Sequence, residues 1–321
     1  MSKEPPEQQP SVAAPSPQHE LPVFVTKRTF VQDRPAAYAV AGAGMPVLFL
    51  HGWALAHHTY KSVVRRIAAD GCAVYAPALP GFGGTADLPH DDFSMAGYGQ
   101  WINDFLDVIG IEEQVVVVGH SFGGGVATRF AHDDFDRVRS LVLVNAVGGS
   151  TWQRGRVLRS ITERPLWDWG VHFPGDVWPL RQASRVLPVI IEDFLPNMVR
   201  NPRAIAKVAN LARRADLRHE LEVLRSKKLP ITVLWATRDG VIPRESFEAL
   251  CVAAGVKGEV VEGSHSWLIA DPNRFGEVMT NVLQVAQAAR ALESQPESDA
   301  STGVRRLVKR VSRARKPKPA E

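Results

Sequence analysis

Val115-Val116-Val117-Val118-Gly119-His120-Ser121-Phe122-Gly123-Gly124-Gly125 decides how the rest of the chain is read. Four consecutive β-branched residues predict a strand buried on both faces. The segment after Gly123 has a helical pattern over Gly124–His132. Between them lies G-x-S-x-G in the strand–turn–helix setting that places a serine on a sharp, strained turn with its hydroxyl clear of the backbone. Gly119 and Gly123, two before and two after the serine, let strand and helix approach closely. The N-terminus of the following helix faces the serine and favours negative charge developing there.

Outward from this turn, short apolar runs alternate with helical stretches. Val47–Leu50, Ala73–Ala76, Leu141–Val144, Ile231–Trp235 and Glu259–Val261 read as further buried strands. Tyr60–Ala69, Met95–Ile109, Arg244–Ala254 and Pro272–Leu292 read as helices. Apolarity on both faces of the strands suits a mostly parallel central sheet covered by helices, an α/β architecture. The alternation lapses over residues 148–211, which contain four of the eight tryptophans (Trp152, Trp167, Trp169 and Trp178) and no convincing strand. This stretch reads as an inserted α-helical cap. The organisation expected is a disordered Pro-rich N-terminus (1–21), a core in two pieces (22–147 and 212–292), the cap (148–211) and a flexible basic tail (293–321).

Several segments besides the serine turn resemble the α/β-hydrolase fold superfamily, over roughly residues 22–290. Val47-Leu48-Phe49-Leu50-His51-Gly52-Trp53 is similar to its strand and H-G-x oxyanion turn. Ala76-Pro77-Ala78-Leu79-Pro80-Gly81-Phe82-Gly83-Gly84-Thr85 is similar to its D-L-P-G-x-G-x-S loop, with Ala78 where aspartate is usual. Leu234–Pro243 resembles its acid loop, and Glu262-Gly263-Ser264-His265-Ser266-Trp267 its histidine loop. The resemblance implies a serine hydrolase of esterase type with a helical lid, whose residues occur in the order Ser, Asp, His.

Each role has a chemical reason. Ser121 needs a general base to become a nucleophile, and His265, on a Gly-Ser loop after a strand, can titrate near neutral pH. His120 is expected to pack beneath the turn, His51 to shape the oxyanion loop, and His57 and His58 to be solvated or to rim a pocket. The base needs an acid to hold its tautomer. The superfamily's alternative acid position holds Asn145, which has no charge, so Asp239 is the candidate. The oxyanion donors expected are the backbone N–H groups of Phe122 and Trp53, two residues also assigned to substrate binding.

A serine at the elbow argues against the superfamily's dehalogenases and epoxide hydrolases, which use aspartate there. The sequence contains no metal-ligand cluster, Walker motif or dinucleotide fingerprint, so no metal or cofactor is expected. The leading reading is hydrolysis of an ester or related acyl bond in a fairly apolar small molecule through an acyl-enzyme. An acyltransferase, a C–C bond hydrolase and a perhydrolase would use the same triad, and a non-enzymatic scaffold would be expected to have lost part of it.

The 321 residues carry a net +4 and a pI of about 9.2. Residues 303–321 alone hold eight basic side chains against Glu321, so the rest of the chain is slightly acidic. In that tail Val304, Leu307, Val308 and Val311 share one helical face, which suits peripheral contact with an anionic membrane better than specific nucleic-acid binding. Two cysteines, no signal-like h-region and no apolar run of spanning length lead to the expectation of a cytoplasmic protein. The oligomeric state is left open.

Overall fold

A computed structural model describes residues 20–149 and 180–293. The N-terminal segment up to His19, Trp152, Trp167, Trp169 and Trp178, and the basic tail lie outside the described residues, and so do the expectations attached to them.

Eight strands form one sheet in the order β1-β2-β4-β3-β5-β6-β7-β8. They are β1 (Phe24–Val31), β2 (Arg34–Ala41), β3 (Met45–Leu50), β4 (Cys72–Pro77), β5 (Val115–His120), β6 (Val138–Val144), β7 (Ile231–Arg238) and β8 (Glu259–Ser264). From β4 to β8 all pairings are parallel, whereas β1 and β2 are antiparallel. All six strands expected from the sequence are present and somewhat longer: β3, β4 and β5 gain two residues each, and β6, β7 and β8 gain three each.

The hairpin β1–β2 was not anticipated. Strand β1 is largely exposed, so burial imposes little apolar pattern on it, and the buried part of β2 is mostly alanine, a weak strand former. It turns through Gln32 and Asp33, both at positive φ, rather than through a glycine.

The alternation of the central strands distributes side chains between two cores. On one face, Leu48, Leu50, Val115 and Val117 pack with Trp101, Phe105, Phe122 and Phe247. These come from helices α2 (Met95–Val108), α3 (Phe122–Asp133) and α7 (Arg244–Ala254). On the other face, Val47, Phe49, Val116 and Val118 pack with Val63, Ile67, Phe275 and Met279. Those helices are α1 (Lys61–Ala68) and α9 (Pro272–Glu293). All four valines of β5 are fully buried, which at about 1.5–3 kcal/mol per side chain explains why this strand reads so clearly.

Between β6 and β7 run α4 (Leu180–Arg200), α5 (Pro202–Arg214) and α6 (Arg218–Ser226). The short helix α8 (Trp267–Ala270) follows β8. Helix α5 continues past the expected end of the insertion at residue 211. Gly148 and Gly149 bridge to Asp216, which marks where the chain rejoins the sheet layer. No helix among the described residues is long and apolar enough to cross a membrane.

The sheet places the site. After β3 the chain crosses to β4 on one side, and β5 lies on the other, so strand order reverses at β3/β5. In such sheets a crevice opens at the carboxyl ends of the strands at that point. Gly52 and Ser121 lie just beyond the ends of these two strands.

Candidate active site

Ser121 has φ +54° and ψ −118°, a conformation rare for a residue with a side chain. Such backbone costs on the order of 1–3 kcal/mol and persists only when its surroundings hold it. Here Ser121 N–H donates to the Val144 carbonyl (3.0 Å), and the Ser121 carbonyl accepts from Gly124 N–H (3.0 Å) and Val147 N–H (3.2 Å). The flanking glycines are sterically required. A Cβ on Gly119 would lie 2.5 Å from the Gly123 carbonyl oxygen, and one on Gly123 would lie 2.3 Å from that of Leu50.

The structure brings Ser121, His265 and Asp239 together. His265 Nε2 is 3.0 Å from Ser121 Oγ, and His265 Nδ1 is 2.8 Å from Asp239 Oδ2. The carboxylate beside Nδ1 requires N–H there, which leaves Nε2 to accept the serine proton. Asp239 directly follows β7 and opens the turn after it. Its Oδ1 accepts from Val241 N–H (2.7 Å) and Ile242 N–H (2.8 Å), and its side chain is fully buried.

Asn145 proves to be part of the site. It follows β6 at φ +47°, donates through Nδ2 to Asp239 Oδ2 and accepts from Trp267 Nε1–H (3.0 Å). One carboxylate therefore receives four hydrogen bonds, and Asn145 holds the acid without replacing it.

Beneath the serine turn runs a second polar chain. Gly52 N–H donates to Tyr60 Oη (3.1 Å), which lies 2.7 Å from His120 Nδ1, while His120 Nε2 lies 3.0 Å from the His265 carbonyl. A carbonyl can only accept, so His120 carries its proton on Nε2 and Tyr60 donates its hydroxyl to Nδ1. His120 thus packs beneath the turn as expected, and it also ties the oxyanion turn to the histidine loop. Burial, with His265 close by, pushes its pKa well below the usual histidine value and keeps it neutral.

His51 shapes its loop as expected. Nε2 accepts from Leu79 N–H (2.8 Å) and Nδ1 faces the Gly52 carbonyl (2.8 Å). Burial lowers its pKa to about 4. The expectation for His57 is corrected. It is 1% exposed, neither nitrogen has a hydrogen-bond partner, and burial lowers its pKa to about 3. The neighbouring Thr59 backbone turns back toward the helices between β6 and β7, which carries His57 inward. His58 remains half-exposed, 3.6 Å from Asp193 Oδ1.

Trp53 and Phe122 differ in what they offer. Trp53 is partly buried, lines the pocket, and donates its indole N–H to the Ile205 carbonyl on α5 (2.8 Å). The Phe122 ring is fully buried against Tyr98, with centroids 5.1 Å apart. Its expected substrate contact through the side chain is therefore corrected: the ring belongs to the core, while its backbone N–H stands at the start of α3, where such donors lack intrahelical partners. A narrow pocket with a cavity volume of about 30 Å³ is lined by Gly52, Trp53, Leu55, Val241 and Ser266 around Ser121 and His265. Among the described residues no cluster of metal-binding side chains occurs.

The chain matches the alpha/beta hydrolase family over residues 47–278. It belongs to that family. It is 30% identical over 282 residues to an uncharacterized protein of Mycobacterium tuberculosis, covering 79% of each chain. Among solved structures it resembles a bromoperoxidase from Bacillus anthracis, with TM-score 0.65 and 18% identity over 81% of this chain and all of the other. It also resembles an esterase from Exiguobacterium antarcticum, with TM-score 0.62 and 20% identity over 80% and 98% of the two chains. Family membership makes this alpha/beta hydrolase an enzyme of the hydrolase class.

Proposed function

We propose that this alpha/beta hydrolase cleaves an ester or related acyl bond of a fairly apolar small molecule through an acyl-enzyme. The observation that carries the reading is the connected series Asp239–His265–Ser121, with spacings of 2.8 and 3.0 Å, opening on a pocket. Trp53, Leu55 and Val241 in the lining favour an apolar substrate.

Ser121 Oγ attacks the acyl carbon as His265 Nε2 takes its proton. The backbone N–H groups of Phe122 and Trp53 receive the tetrahedral oxyanion. The imidazolium, stabilised by Asp239, gives its proton to the leaving alcohol, and the acyl group stays on Ser121. Water, deprotonated by His265, then attacks the acyl-enzyme. The acid is released, and the proton returns to Ser121. Helices α4 and α5 form part of the cap over this site, and the basic tail contacts an anionic membrane surface.

Fluorophosphonate labelling of Ser121, lost in Ser121→Ala, is the expected result. Absence of labelling in the folded wild type refutes the proposal. A panel of p-nitrophenyl esters of increasing acyl length measures the apolar preference. Product analysis with an added acceptor alcohol separates hydrolysis from acyl transfer. Co-sedimentation with anionic vesicles, with and without residues 296–321, tests the tail.

A further inference from the structure

We propose that Asp193, on α4, is a positioning residue for the oxyanion turn; the proposal rests on the hydrolase reading above. The turn at Gly52-Trp53 continues into residues 54–59, which belong to no helix or strand. Their backbone groups must find partners elsewhere, since a buried N–H without an acceptor costs about as much as a lost hydrogen bond.

Helix α4 supplies those partners. Asp193 Oδ2 accepts from Ala56 N–H (3.1 Å), Thr59 N–H (2.9 Å) and Thr59 Oγ1–H (2.7 Å). One turn further along the helix, Asn197 donates to the Ala54 carbonyl (2.9 Å) and accepts from Gly83 N–H (2.9 Å). Both side chains are only 6% exposed. At the start of the loop, the Trp53 indole is bonded to the Ile205 carbonyl on α5. At its end, Tyr60 receives Gly52 N–H.

A carboxylate is expensive to bury unless fully partnered, and here its partners are the loop that carries the Trp53 donor. Burial opposes its ionisation, but His58 and the Thr59 donors outweigh that and hold its pKa below the usual carboxylate value. The helix between β6 and β7 that bears Asp193 therefore acts as a fixed buttress of the oxyanion turn, and not as a lid that leaves it. Loss of Asp193 leaves the Ala56 and Thr59 N–H groups without an acceptor, while Thr59 Oγ1–H can turn to the Val189 carbonyl (3.3 Å), and the loop must shift to satisfy the two backbone donors. A displacement near 1 Å at a reacting geometry costs on the order of 10²-fold in rate.

The test compares Asp193→Ala with Asp193→Asn. All three loop bonds converge on one oxygen, so asparagine with its carbonyl oxygen turned to the loop preserves them. Asp193→Ala is expected to lose about 10²-fold in kcat on a p-nitrophenyl ester with KM changed less than about threefold, and Asp193→Asn to stay within about fivefold of wild type. Amide exchange in a peptide covering residues 52–60 is expected to speed up about tenfold or more in Asp193→Ala, with β5 and α3 unchanged. If Asp193→Ala fails to fold, Thr59→Val, which removes one of the three donors, should lose about five- to tenfold in kcat with the same exchange pattern. Wild-type kcat and exchange in the alanine or valine variant overturn the proposal, as does an asparagine variant as impaired as the alanine one. A wild type that fluorophosphonate does not label refutes the hydrolase reading alone, and the exchange comparison still decides the role of Asp193.

Discussion

Replacing Asp239 by asparagine separates orientation from charge at the proposed acid. The carboxylate accepts four donors: Val241 and Ile242 N–H at Oδ1, and His265 Nδ1–H and Asn145 Nδ2–H at Oδ2. Asparagine has a single acceptor oxygen. If that oxygen faces His265, the amide NH2 meets two backbone donors at 2.7 and 2.8 Å, and both are left unsatisfied at about 1–3 kcal/mol each. If it faces the backbone pair, His265 can change tautomer, and the one remaining clash is with Asn145 Nδ2, whose amide Trp267 Nε1–H holds in place. The second orientation is favoured.

It presents N–H to His265 Nδ1, which must then accept, so the ring proton moves to Nε2 and points at Ser121. The base is lost while the site keeps its shape. A wrong tautomer of this kind costs about 10⁴ in kcat, equivalent to about 5.4 kcal/mol of transition-state stabilisation. The assay is steady-state hydrolysis of p-nitrophenyl esters together with the rate of fluorophosphonate labelling, with urea unfolding as a check on the fold. Both rates should fall together while the unfolding transition stays cooperative. A folded variant retaining more than about a tenth of wild-type kcat refutes Asp239 as the group that orients His265.

Asn145→Ala leaves Trp267 Nε1–H unpaired in the core, so a stability loss of about 1–3 kcal/mol by urea unfolding and a roughly tenfold lower kcat are expected. Gly119→Ala drives its Cβ into the backbone of Gly123 and Gly124, and should cost 3 kcal/mol or more and abolish labelling. Gly110→Ala, at φ +72° with open space around it, should cost only about 1–2 kcal/mol in the same urea series. His51, His57 and His120 have folded-state pKa values below the unfolded value near 6.5. Stability from neutral burial is complete above pH 6.5 and is lost as pH falls toward the folded values. For His57, with a folded pKa of about 3, the loss by pH 5 is about 2 kcal/mol, and His57→Leu should recover that amount at pH 5 relative to pH 7. Equal pH dependence in the two proteins would show that His57 is not held neutral.

The sequence by itself determined the sheet's centre and the candidate chemistry. Val115–Val118 must be a doubly buried strand because four β-branched apolar residues in a row have no polar face. Gly119 and Gly123 bracket Ser121 because no larger residue fits where strand and helix cross. His265 and Asp239 were identified by the resemblance of their loops and by chemical elimination, since a serine needs a base and Asn145 has no charge.

The outer hairpin β1–β2 left little signal because β1 is mostly exposed, the buried part of β2 is mostly alanine, and the turn uses Gln32 and Asp33. Only tertiary structure decided what surrounds the site. Tyr60 is 60 residues from His120, Asn145 is 94 from Asp239, and Asp193 is 137 from Ala56. Each pair meets because loops gather at one end of a folded sheet. No local pattern records such meetings, since a hydrogen bond between distant side chains leaves no periodicity in either segment. Burial likewise turned His57 from an expected rim residue into an enclosed, neutral one. Chemistry carried by residue type is legible along the chain, whereas positioning depends on distances that exist only after folding.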